Sequence, residues 1–290
     1  MKFTDTMRQR LLNAQANEIT EYHIYRRIAA TISDEANRRI MGRIAEDELR
    51  HYEVWKQYTG QDIGPRRIKV WFYTLVSRLF GFTFGVKLME KGEEGAQANY
   101  AEISRVIPEI IKIHADEEEH EAKLLDMLDE ERLRYAGSVV LGLNDALVEL
   151  TGALAGLTLA LQNVRLIALS GLITGIAASL SMAASEYLST RSESTDKHPV
   201  RAAIYTGIAY ILTVALLIMP YLLLSNEYLC LAISLSTAVL IITVFNYYIA
   251  VAKGVDFRRR FLEMAGLSLG VAALSFIIGY FIRIWLGVEV

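Results

Sequence analysis

Residues 137–161 read GSVVLGLNDALVELTGALAGLTLAL. Asp145 and Glu149 are the only ionisable groups in the stretch, and it has no proline. A bilayer core of about 30 Å needs roughly 20 mostly apolar helical residues, so this stretch predicts a membrane span. Four more runs of that kind follow, at 165–189, 202–224, 228–251 and 262–286, joined by short polar connections. Upstream the character of the chain changes. Residues 1–135 carry 21 Lys+Arg and 24 Asp+Glu, leaving 9 and 9 for the rest of the 290. Mean hydropathy is +0.27 and 53% of residues are hydrophobic, above the about 45–50% of a soluble domain with glycine included. Two solvents are implied, water for 1–135 and lipid for 136–290, and with them two domains split at that boundary.

Charge sets the expected orientation. The connections on one side of the five spans hold Arg132, Arg134, Arg191, Lys197, Arg201, Lys253, Arg258, Arg259 and Arg260. The other side holds Arg165, with Arg283 near the end of the last span. Cytoplasmic loops are enriched in lysine and arginine. Residues 1–135 are therefore expected in the cytoplasm, and an odd number of spans puts the C-terminus outside. The net charge is −3 with no basic domain, which argues against nucleic acid as a partner. Cys230 is the single cysteine, so no disulfide framework, CxxC zinc site or iron–sulfur site can form within one chain.

The first half reads as helices, over 4–32, 34–59, 86–106 and 107–135, expected to pack as an antiparallel four-helix bundle. Gly60 and the Gly64-Pro65 pair stop the second. Between the second and third lies IKVWFYTLVSRLFGFTFGV, 68–86, apolar and aromatic with Arg78 at its centre and cations at its ends. A central arginine costs about 2.5–3.5 kcal/mol on insertion scales. A sixth span would also split the bundle across the membrane. An element lying on the membrane surface is the preferred reading, a crossover packed on the bundle the alternative.

The bundle repeats one pattern. Glu18 is followed seven residues later by Tyr25, and the next helix carries Glu48-Leu49-Arg50-His51. Glu93 is followed seven residues later by Tyr100, and the next helix carries Glu117-Glu118-Glu119-His120. Residues three apart share a helix face, so each Glu-x2-His can serve one metal or bridge to its neighbour. A glutamate from each of two helices and a Glu-x2-His from each of the other two make a carboxylate-rich site for two metals. Oxygen and imidazole donors suit iron or manganese. Glu18, Glu48, His51, Glu93, Glu117 and His120 are the candidate ligands, with Glu90 and Glu94 as secondary candidates. A single Glu-x2-His is commonplace on a solvated helix, and the nearby Glu46, Asp47, Glu53, Asp116 and Glu121 read as surface charge; two copies in phase are harder to dismiss. His23 and His114 read as satisfied or exposed histidines.

On these motifs residues 1–135 resemble the ferritin-like superfamily, in its rubrerythrin branch. The resemblance implies a di-iron centre able to oxidise Fe²⁺ with oxygen or peroxide. The rubredoxin-type cysteines of rubrerythrin are absent, and Ala96 stands where that branch has a further glutamate.

Charge inside a span is costly and marks function. Asp145 and Glu149 lie one turn apart in the first span; Glu186 lies near the end of the second, with Met182 one turn deeper. By helical rise Asp145 and Met182 fall at similar depth, and a carboxylate beside a thioether suits a borderline-soft ion such as Fe²⁺. Asn144, Ser181, Ser185 and Asn246 are weaker pore-lining candidates. The stretches Gly142-Leu-Asn-Asp145-Ala-Leu-Val and Ser181-Met-Ala-Ala-Ser-Glu186-Tyr-Leu-Ser189 make 137–290 resemble the vacuolar iron transporter family. That resemblance implies a homodimer exporting Fe²⁺ or Mn²⁺ from the cytoplasm against protons. It implies an ion path lined by Asp145 and Met182, with Glu149 and Glu186 as further candidates. The family's long acidic insertion between spans two and three is reduced here to about ten residues, so the ferritin-like domain is expected to take over metal capture. The whole chain thus resembles a membrane-bound ferritin. The rival reading is a membrane-anchored di-iron ferroxidase or peroxide-scavenging enzyme that transports nothing. No catalytic residue is assigned, and whether the chain is an enzyme at all is left open.

Overall fold

The computed structural model describes residues 3–91, 107, 110–126, 134–193 and 197–286. Ten helices and no strand occur among them. The chain divides into two compact units, 1–130 and 131–290.

In the first unit α1 (Asp5–Ala29) and α2 (Glu35–Thr59) pack along their length. Each starts on a side-chain cap. Thr4 accepts from the Met7 N–H at 3.3 Å and Asp34 from the Asn37 N–H at 2.8 Å, satisfying donors that the first helical turn leaves open. The next segment is clipped to α1. Gln15 donates to the Gln61 carbonyl at 2.9 Å, and the Arg66 N–H donates to Thr20 Oγ1 at 3.0 Å.

The apolar segment expected as one element over 68–86 is instead two helices, α3 (Arg67–Phe80) and α4 (Phe82–Lys91). Gly81 separates them at φ 98° and ψ 151°, a conformation that a side chain would strain. At 14 residues α3 is about 21 Å long, short of a bilayer core, so it is not a sixth span. It packs against α1. The third helix expected over 86–106 thus starts earlier, inside α4, and residues 92–106 lie outside the described residues. The fourth is described as α5 (Ile110–Asp126); 127–133 also lie outside. Ile19, Ile24 and Ile28 of α1, Met41 and Ile44 of α2, Val70 of α3, Val86 and Met89 of α4 and Leu124 of α5 share one buried apolar cluster. Leu11, Trp55, Ile107, Ile110 and Ile113 form a second.

The second unit consists of α6 (Ala136–Leu161), α7 (Val164–Ser192), α8 (Pro199–Leu223), α9 (Glu227–Lys253) and α10 (Phe257–Leu286). All five are long and apolar enough to cross a membrane. α6 touches each of the other four. Its Leu147, Leu150 and Leu154 lie in a core with Ile167, Tyr210, Val214, Leu217, Ile242 and Ala272. The outward faces carry Leu169, Ile173, Leu180, Leu212, Leu240 and Leu274, all exposed. Apolar outside and hydroxyls inside is the pattern lipid favours, since interhelical polar contacts and close packing hold such bundles together. Thr158 Oγ1 lies 2.7 Å from Tyr221 Oη, Thr151 Oγ1 lies 3.2 Å from Ser268 Oγ, and Ser234 donates to the Leu217 carbonyl at 2.6 Å.

Candidate functional site

The first unit brings four of its expected ligands together. Glu18, Glu48, His51 and Glu117 each offer one ligand atom, and these atoms lie within 4.8 Å of one another. α1 supplies Glu18, α2 supplies Glu48 and His51 from one face, and α5 supplies Glu117. Glu18, Glu48 and His51 are buried. Glu48 sits between the two histidines: its Oε1 is 3.2 Å from His120 Nδ1 and its Oε2 3.5 Å from His51 Nδ1. His51 Nδ1 is also 3.3 Å from Glu117 Oε1 and 3.6 Å from Glu18 Oε2. The two imidazoles are stacked at a tilt of 29°, their centroids 6.0 Å apart. Glu90 falls in α4 by its backbone. Glu93, Glu94 and Tyr100 lie outside the described residues.

Each imidazole is held from behind by a residue that sequence reading set aside as surface charge. His51 Nε2 lies 3.2 Å from Asp116 Oδ2, and His120 Nε2 lies 2.9 Å from Asp47 Oδ2. The aspartate beside one Glu-x2-His thus reaches the histidine of the other. The signal was available: Asp47-Glu48 and Asp116-Glu117 place the same dipeptide at the head of both motifs. Trp55 adds a donor, its indole N–H reaching Glu18 Oε1 at 2.9 Å. With Nε2 engaged by a carboxylate, Nδ1 is the nitrogen left for a metal, the arrangement by which outer partners orient a ligating histidine.

The electrostatics point the same way. Burial, then the charges of Glu48 and Glu117, push the Glu18 carboxyl well above the usual range despite the nearby His51 imidazole. Burial and the Glu48 charge likewise raise Glu117. Burial alone would raise Glu48, but the close imidazoles of His120 and His51 pull it down to about 2. Burial would lower both histidines; contacts with Glu117, Glu18 and Glu48 raise His51 instead, and Glu48 with Asp47 raises His120. Without metal, protons on the imidazoles balance crowded carboxylates. Glu18 Oε2, Glu48 Oε2, His51 Nδ1 and His120 Nδ1 are buried without a hydrogen-bond partner. Buried polar atoms are ordinarily partnered; here Glu18, Glu48 and His51 face one centre together with Glu117, and His120 Nδ1 lies beside it, 3.2 Å from Glu48 Oε1. Their donor set fits a divalent metal of the iron or manganese kind. His23 is elsewhere on α1 and half-buried, its pKa lowered by burial and by Arg27 and Arg26.

In the second unit Asp145 and Glu149 lie on α6, the first half-buried and the second exposed. The Tyr210 hydroxyl of α8 donates to Glu149 Oε2 at 2.6 Å. Glu186 of α7 is buried and accepts from Ser138 Oγ at 2.5 Å. Met182 is half-buried against the apolar core. Asp145 lies nine residues into α6 and Met182 ten residues from the end of α7. At 1.5 Å per residue both are about 14–15 Å from the same end of the pair. Gly142 lets α8 approach: a Cβ there would lie 2.3 Å from the Thr206 carbonyl oxygen, and Thr206 Oγ1 donates to the Ser138 carbonyl at 2.9 Å. Asn144 is half-buried, and Ser181 and Ser185 are exposed. Asn246 is buried and donates to the Ile242 carbonyl of its own helix at 2.8 Å.

Five membrane-capable helices around such groups define an integral membrane protein. Within it, residues 136–198 match the model of the VIT family, a stretch covering α6, α7 and the connection to α8. Neither the curated proteins nor the solved structures compared with the chain contain a match to it.

Proposed function

We propose that this chain is a homodimeric membrane transporter. It moves Fe²⁺, and Mn²⁺ where available, out of the cytoplasm in exchange for protons. Its first 135 residues are a cytoplasmic, rubrerythrin-type ferritin-like domain that captures, oxidises or senses the metal. The observation that carries the transport reading is the place of the family match. It falls on α6 and α7, the helices that hold Asp145, Glu149, Met182 and Glu186. An ion leaving water needs anionic or carbonyl oxygens to replace its hydration shell. Asp145 offers a carboxylate about 14 Å from the start of α6 and Met182 a thioether at similar depth. Tyr210 donates a hydrogen bond to Glu149, and Ser138 donates one to Glu186. Glu149 is exposed on an isolated protomer, which is costly against lipid; a second copy covering this face removes that cost and encloses the path. The lysine and arginine bias of the connections supports the inward placement of residues 1–135.

In the ferritin-like domain Glu18, Glu48, His51, Glu117 and His120 would hold the metal, with Glu93 completing the set. Glu48 faces both imidazoles and would serve a metal held beside either of them. Bound iron supplies one-electron chemistry toward oxygen or peroxide; the chain's part is to exclude water, orient the imidazoles through Asp47 and Asp116, and take up or release their protons. The buried, self-contained cluster also favours a second reading, a membrane-anchored ferroxidase or peroxide scavenger. Proteoliposomes separate the two. Metal flux driven by an imposed pH gradient supports transport, and oxidation without flux supports the anchored enzyme.

A further inference from the structure

Helix α3 turns a face of small residues inward, with Val76 buried beside it. Val70, Thr74 and Ser77 face the unit's interior, where Thr74 and Ser77 turn their hydroxyls back onto the Val70 and Tyr73 carbonyls at 2.7 Å each. The outer side carries Ile68, Trp71, Phe72, Leu75 and Leu79. Their spacing of three, four, seven and eleven residues from Ile68 makes a single stripe along one helix face. Ile68 is 84% exposed, Trp71 61% and Leu79 61%. A contiguous apolar stripe of this size on a water-facing unit marks a binding surface.

The flanks identify the occupant. Arg67, Lys69 and Arg78 are exposed beside the stripe, and Lys87 follows on α4. Between Ile63 and Met89 there is no aspartate or glutamate, although residues 1–135 hold 24 of them. An aromatic and aliphatic face edged by cations is the pattern of a helix lying in a lipid interface, its apolar side about 5–10 Å into the headgroup boundary. The same chain carries five membrane-capable helices, so a bilayer is always within reach. The anchor is itself held firmly: the Arg66 N–H is bonded to Thr20, and its guanidinium to Asn17 at 2.9 Å.

We infer that α3 is an interfacial anchor that lays the first unit on an anionic lipid surface through Ile68, Trp71, Phe72, Leu75 and Leu79, with Arg67, Lys69 and Arg78 at the headgroups. Each cation near an anionic surface strengthens binding roughly fivefold. The anchor therefore depends on lipid charge as well as on the apolar stripe.

The test uses the full chain with Cys230→Ala, one new cysteine at Phe72 or at Leu75, and a third protein labelled at Gln57, exposed on α2. Each carries a nitroxide and is reconstituted into phosphatidylcholine vesicles with or without phosphatidylglycerol. Collisions with oxygen report the bilayer and collisions with a nickel chelate report water. The expected oxygen-to-nickel ratio at 72 and 75 is several-fold that at 57 in the anionic vesicles. It falls toward the value at 57 without phosphatidylglycerol, or when Arg67, Lys69 and Arg78 are changed together to glutamine. Equal ratios at all three positions in anionic vesicles would overturn the anchor. So would shielding from both reagents with a short label-to-label distance that ignores lipid composition, because the stripe would then be covered by a second copy.

Discussion

His120 Nε2 lies 2.9 Å from Asp47 Oδ2, a residue one position before Glu48, whose own Oε1 faces His120 Nδ1 at 3.2 Å. Two neighbouring residues of α2 thus flank one imidazole on α5, Asp47 holding Nε2 and Glu48 facing Nδ1. The mirror contact of His51 with Asp116 makes the arrangement reciprocal, and each half of the repeat positions the other.

Asp47→Asn and Asp116→Asn each remove the carboxylate behind an imidazole without emptying the space. Losing such an outer partner weakens metal binding by roughly 10–100-fold. Iron or manganese titrations of the full chain should show that loss with helix content unchanged. Unaltered affinity in both variants would mean that the aspartates do not orient the ligands.

Metal affinity should rise with pH. Metal-free, His51 and His120 titrate above the ordinary imidazole value and Glu18 above the ordinary carboxylate value, so a metal entering at neutral pH must displace protons. Lower pH favours the protonated, metal-free cluster, and the gain continues through and beyond neutrality because the histidine shifts are upward. Isothermal titration in buffers of differing ionisation enthalpy should register proton release. Binding with no release would contradict the assigned ligands.

The five spans were legible because runs of about 25 apolar residues interrupted by charge form a signal of composition, independent of tertiary detail. Their ends were less so. α10 was expected from 262 but begins at Phe257, where Asp256 Oδ1 caps the Arg259 N–H at 2.6 Å. Hydropathy stops at Arg258–Arg260, whereas arginine is a good helix former and the backbone continues through it. The break at Gly81 was hidden for the opposite reason: apolar and aromatic residues run on from α3 into α4 on both sides of it, and only a positive φ separates the two helices. Asp47 and Asp116 were passed over because each is one residue from its own motif, about 100° round the helix. Their targets lie on a different helix, which only packing reveals.

Gly142→Val should destabilise the membrane unit. Its Cβ would meet the Thr206 carbonyl oxygen at 2.3 Å, and a backbone atom cannot rotate aside. Overpacking of this kind costs about 1–3 kcal/mol. Thermal unfolding in detergent should show the loss, while Gly266→Ala, with nothing within 4 Å, should stay near the parent. Equal stability of the two variants would contradict the close approach of α6 and α8.

Transport by this chain requires metal to cross the membrane past Asp145. The direct measurement is the initial rate of Fe²⁺ uptake into proteoliposomes bearing a pH gradient, across a metal titration, for the parent chain, Asp145→Asn and the His51→Ala/His120→Ala pair. Asparagine keeps the shape but removes the anionic charge that offsets ion dehydration inside the bilayer, so flux should fall to the level of empty vesicles although the variant remains folded. The histidine pair should still transport at high metal and fail at low metal, where capture limits the rate. Asp145→Asn running at the parental rate would take the α6 carboxylate off the ion path, and a parent chain that oxidises iron but moves none would make the protein an anchored enzyme.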